Sequence, residues 1–155
     1  IMTTFSKRRS IIKLVIDNLK LINANSSAFR SDYTFRTNVF NNVFRGNGNF
    51  EDINDYPTIQ VVGGPERYIY NTVGNTEAYL TILLRCYLKD GDRTTLRAQC
   101  DALIQDVDHV IYNMSTVSHN IHTIRVLGVD STQSLLDDLC VIEIQLAVKY
   151  ELDIV

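Results

Sequence analysis

Between residues 142 and 154 the chain alternates without a slip. Ile142, Ile144, Leu146, Val148, Tyr150, Leu152 and Ile154 stand at the even positions, with Glu143, Gln145, Ala147, Lys149, Glu151 and Asp153 between them. A period of two marks a β-strand with one buried and one wetter face. At about 3.3 Å per residue the run reaches roughly 43 Å, well beyond an ordinary strand of about five or six residues. Residues 78–89 carry the same period. Ala78, Leu80, Ile82, Leu84, Cys86 and Leu88 form an inner face, and Tyr79, Thr81, Leu83, Arg85, Tyr87 and Lys89 the other. These two runs predict the main strands of one sheet, with helices over the apolar face.

Two segments have helical spacing instead. In residues 4–23, Phe5, Ile12, Val15, Ile16, Leu19 and Ile22 form one stripe, which Ile11, Leu14 and Leu21 widen beyond half the circumference. A surface helix needs less apolar arc than that, so this one is either covered on two sides or touches a neighbouring subunit. The basic run Lys7-Arg8-Arg9 reads as a solvated helix start or, alternatively, as a contact for a negatively charged partner. In residues 93–113, Leu96, Cys100, Leu103, Val107, Val110 and Ile111, continued by Met114, form a regular stripe. Arg97, Asp101, Gln105, Asp106 and Asp108 are placed toward water. Asp90-Gly91-Asp92 supplies a turn and an acidic helix start, where the helix dipole favours negative charge.

The remaining segments are less regular. Residues 24–56 read as a long irregular stretch with room for one or two strands. It carries Tyr33, Phe35, Val39, Phe40, Val43, Phe44 and Phe50 without a clean period. Segments of that kind in compact domains are usually functional or fold against something. Residues 57–62 predict a short strand, ended by a turn at Gly63-Gly64-Pro65. A second short strand follows over 67–72, closed at Gly74-Asn75. A mixed-face strand is expected over 120–129 and a connection over 131–138. The whole is an α+β fold in one domain over residues 1–155. Its sheet is mainly antiparallel with two long strands, flanked by the N-terminal helix and the second amphipathic helix.

Composition narrows the function classes. The hydrophobic fraction of 45% is ordinary for a globular chain, and the net charge of −3 argues against a general nucleic-acid binder. The 11–22 stretch is broken by Lys13, Asp17, Asn18 and Lys20, so it reads as neither a secretory signal nor a bilayer span. Cys86, Cys100 and Cys140 are expected as buried thiols in a reducing compartment. Residue patterns that carry chemistry are few. Gly46 and Gly48 do not open a helix after a strand, so they make no nucleotide loop. His119 and His122 have weak ligand spacing without support, and Asp137-Asp138 reads as a solvated turn. No cofactor, metal site or catalytic constellation is expected. What stands out is surface. Tyr79, Leu83, Arg85 and Tyr87 share a strand face in residue types enriched at interfaces. The plainer reading is a half-covered sheet face with cross-strand pairs; the sharper one makes them, with Ile11, Leu14 and Leu21 of the wide helix, the candidate subunit or partner interface.

The order of elements, with 55-Asp-Tyr-Pro-Thr-Ile-Gln-Val-Val-Gly-Gly-Pro-Glu-66, the strand end Arg85-Cys86-Tyr87-Leu88-Lys89-Asp90, the helix positions Leu96, Leu103, Ile104, Val107 and Ile111, and the closing Ala147-Val148-Lys149-Tyr150, resembles the tail terminator proteins of long-tailed bacteriophages. The resemblance implies a virion protein assembled in the host cytoplasm, a homo-oligomer in the form of a hexameric ring. That ring sits on the tail tube protein, ends tube growth and offers a docking surface to the head-completion or connector protein. Genomic DNA passes through its lumen without specific binding, and neither enzyme activity nor a membrane is involved. The rival readings are a head-completion or neck connector protein of the same particle, and a small cytosolic enzyme or ligand-binding dimer with a polar pocket around His119, His122 and Asp137.

Overall fold

The computed structural model describes residues 4–46, 55–70, 76–114, 121–133 and 138–152. Seven elements follow in order: α1 (Thr4–Leu19), β1 (Val43–Arg45), β2 (Thr58–Tyr70), β3 (Thr76–Lys89), α2 (Arg93–Asn113), β4 (Ile121–Gln133) and β5 (Leu139–Leu152). The strands form one sheet in the order β1-β2-β3-β5-β4, antiparallel except for the parallel β1–β2 pair. The fold is therefore α+β with a mainly antiparallel sheet.

The two alternating runs meet in a register that matches apolar to apolar. Leu80 lies opposite Val148, Ile82 opposite Leu146, Leu84 opposite Ile144 and Cys86 opposite Ile142. All eight side chains are at most 1% exposed. Ile11, Ile12, Val15 and Leu19 of α1 and Leu96, Leu103, Val107 and Val110 of α2 complete the same core, so both helices cover one face. α2 begins where Asp92 accepts from the backbone N–H of Thr94, an N-cap that satisfies one of the orphan donors of the first turn.

Several expectations are corrected. Gly63-Gly64-Pro65 does not end a strand: β2 runs through it to Tyr70, with a register shift between Gly63 and Glu66. β1 pairs only with Ile59 to Val61, so this half of β2 lies on a sheet edge among the described residues, where proline and a bulge are tolerated. The glycines serve close approach. A Cβ on Gly64 would stand 2.9 Å from the Thr81 carbonyl oxygen, and one on Gly63 would meet Arg8 and Ile12 of α1. Likewise β4 extends to Gln133, so residues 131–133 are strand rather than connection. The helix start is not simply solvated either. Lys7 is buried, donates to the Glu151 carbonyl and stands over the Tyr150 ring, and Arg8 donates to the Gly64 carbonyl at 2.9 Å.

Asp106 is the largest correction, because it is fully buried rather than facing water. Its carboxylate accepts from the Tyr33 hydroxyl at 2.7 Å, the Thr37 hydroxyl at 2.6 Å and the backbone N–H groups of Arg36 and Thr37 at 3.1 and 2.9 Å. Tyr33 stacks on His109 at 3.9 Å, and Phe35 and Val39 plug the core beside it. The irregular segment is thus clamped onto α2, and its one strand among the described residues is the short β1.

Candidate functional site

One face of the sheet carries both helices; the other carries none among the described residues. On that open face the register sets Tyr79 opposite Lys149, Leu83 opposite Gln145, Arg85 opposite Glu143 and Tyr87 opposite Val141. Arg85 Nε lies 3.5 Å from Glu143 Oε1, with side chains 39% and 45% exposed. Lys149 lies 3.5 Å from Glu77 and over the Tyr79 ring. Tyr79 and Leu83 are half-buried. Tyr87 is nearly closed off, and its hydroxyl donates to Gln60 Oε1 at 3.0 Å. Burial is the main reason its phenol is pushed above the ordinary range.

The helix residues of the candidate interface do not join this face. Ile11 is fully buried and offers no surface from within the protomer. Leu14 is partly buried against the core, and Leu21, just past the end of α1, is 44% exposed. Leu21 lies instead near another exposed apolar side chain, Phe40. Phe40 is held near it by a backbone bond from its N–H to the Ile22 carbonyl at 2.7 Å.

Two further surfaces have only a weak signal in the sequence. β4 is a terminal strand of the sheet, so the outer edge of a 13-residue strand is unpaired among the described residues, and Leu127 and Val129 are exposed on it. At the opposite side, the half of β2 beyond Val61 is also an open edge, bearing exposed Tyr68, Ile69 and Tyr70. Open strand edges present rows of N–H and C=O groups that template pairing with another chain. Periodicity reports that a strand exists, not which neighbours it lacks, so neither edge could be read in advance.

The pocket expected by the enzyme reading falls largely outside the described residues. His119 and Asp137 lie outside the described residues, and His122 is exposed, 3.7 Å from Glu151. No cluster of three or more possible metal ligands occurs among the described residues. A cleft of about 270 Å³ with a mixed lining does lie beside the end of β3, among Ala24, Arg36, Thr37, Tyr56, Leu88 and Gln99. It contains no paired acid and base.

Among the described residues, a sheet face bearing Tyr and Arg lies between two open strand edges, the kind of surface on which an assembly subunit can meet its neighbours. The particular family follows from comparison: the family described as Bacteriophage Tail Tube Terminator Protein matches residues 5–154, and the chain belongs to it. It is a structural virion protein of the phage tail. Among solved structures it is similar to a chain of the virion of native gene transfer agent (GTA) particle, at 12% identity and a TM-score of 0.46, over 71% of this chain and 78% of that one. No curated protein matches it.

Proposed function

We propose that this chain, acting as one domain over residues 1–155, closes into a hexameric ring on the last ring of the tail tube. There it ends polymerisation of the tube protein and presents the surface to which the head connector docks. The observation that supports this reading most is the family match over residues 5–154. The surfaces agree with it. A ring requires heterologous contacts on two different sides of each subunit, and the β4 edge and the outer half of β2 stand at opposite sides of the sheet. Tyr79, Leu83 and Arg85 on the open face, with Leu14 and Leu21 on the helix side, are the side chains proposed to meet neighbours. The net charge of −3 suits a lumen that lets DNA pass without gripping phosphates.

The test is tube growth. Purified protein added to polymerising tube protein should cap tubes at one end and arrest elongation, with density visible on the capped end by electron microscopy. Tubes that keep growing with bare ends, while the protein binds isolated heads, would overturn the terminator role and favour a neck connector. Indifference to tubes and heads alike would overturn both.

A further inference from the structure

Three thiols gather where the start of α2 meets the covered face of the sheet. Cys86 of β3 and Cys140 of β5 stand on that face, Cys100 approaches from the helix, and all three are buried and reduced. The Cys100 thiol donates to Cys140 Sγ at 2.9 Å, between residues 40 positions apart. A disulfide bond is about 2.05 Å long, so less than about 1 Å of approach separates the pair from bonding. A cleft of about 350 Å³ is lined by Leu96, Arg97, Asp101 and Ser131 together with both cysteines of the pair. Cys86 is fully buried and does not line it.

We propose that Cys100 and Cys140 are an oxidation site, converted to an intramolecular disulfide by a low-molecular-weight disulfide that enters this cleft, while Cys86 remains a thiol. In the first step one sulfur of the pair, as thiolate, attacks the small disulfide; its S–S bond breaks and one small thiol leaves. In the second, the other sulfur attacks the mixed disulfide and the second small thiol leaves. Two S–H bonds are lost from the protein and one S–S bond gained, and the small disulfide is reduced to two thiols that carry the protons. Burial, then the hydrogen bond to Cys140, push the Cys100 thiol up to about 12, so little thiolate forms at neutral pH and exchange is slow. The pair therefore stays reduced in a reducing cytoplasm. The timing rests on the chain being a virion protein: a particle released into an oxidising medium would acquire a covalent staple between α2 and β5.

The test treats the purified, folded protein with oxidised glutathione, then alkylates, digests and maps the peptides. The expected product is two hydrogens lighter, links Cys100 to Cys140 and leaves Cys86 alkylated. Its melting temperature should rise on the order of 5–10 °C and fall back with dithiothreitol, because a closed loop of this length restricts the unfolded chain. Cys140→Ser should fold and show no such rise, carrying at most a glutathione adduct on Cys100. Three alkylatable thiols after prolonged exposure, a link through Cys86, or only an adduct in the unsubstituted protein would overturn the proposal. The chemistry is independent of ring formation. A protein that forms this bond yet ignores tubes contradicts the terminator reading alone, and a tube-capping protein whose thiols never join contradicts this one alone.

Discussion

The two faces of strands β3 and β5 are made from the same alternating runs but have opposite fates. On the covered face, Ile82, Leu84, Leu146 and Ile144 vanish into a core shared with both helices. On the other, Leu83, Arg85, Glu143 and Gln145 remain partly in contact with water. The first face holds the subunit together, and its residue types are fixed by packing. Apart from the nearly buried Tyr87, the second carries less of that duty, which leaves Tyr79 and Arg85 in reach of a neighbour.

The comparison breaks first by truncation. Leu84→Ala should cost about 2–5 kcal/mol, as buried leucines do, whereas Leu83→Ala, one position along, should cost under about 1 kcal/mol. Denaturant unfolding of the two variants measures the gap, and equal losses would mean that both faces are packed within the protomer. Next, Asp106→Ala should cost about 2–4 kcal/mol by stranding the hydroxyls of Tyr33 and Thr37 and two backbone N–H groups. Hydrogen exchange should rise across 33–39 while β3 and β5 stay protected. Gly64→Ala should cost about 1–3 kcal/mol, since its methyl would press on the Thr81 carbonyl and force β2 from β3.

A smaller effect is expected from pH. Burial and the bond to Asp106 raise the Tyr33 phenol, so its native pKa lies above its unfolded value of 10.0. The stabilisation is complete below about pH 10 and is lost as pH climbs toward the native pKa, because the unfolded chain releases the proton first. Unfolding free energies measured between pH 8 and about 11 should decline, and Tyr33→Phe should flatten part of that slope. The least change in monomer stability belongs to Arg85→Glu. Its ion pair with Glu143 is well exposed and of little worth, so the melting temperature should move by no more than a few degrees while assembly weakens.

The long strands and α2 were legible because their contacts obey a local period: every even position from 78 to 88 and from 142 to 150 is buried as read. The misreadings share a different cause. Gly63-Gly64-Pro65 has turn composition, and only the edge position of β2 and the closeness of Thr81 explain it as strand. Asp106 flanks the stripe of Leu103, Val107 and Val110, which was a signal, yet a buried carboxylate needs partners, and its partners lie about 70 positions away. The irregular segment obeys no period because it is fixed by such distant bonds. Among the candidate interface residues, Tyr79, Leu83 and Arg85 share one partly exposed strand face, while Tyr87 is nearly closed off. Ile11 was absorbed by the core, since a wide apolar arc is also what a helix covered by sheet and second helix requires.

On the proposed reading the open face serves assembly rather than folding. The direct measurement is the mass of the unsubstituted protein and of Arg85→Glu by light scattering, with and without tail tubes. The unsubstituted chain should reach six times 17.7 kDa, about 106 kDa, in solution or as a cap on tubes. Arg85→Glu should remain folded, smaller, and absent from tube ends. An Arg85→Glu protein that assembles and caps as before would contradict the claim and place the assembly surface elsewhere.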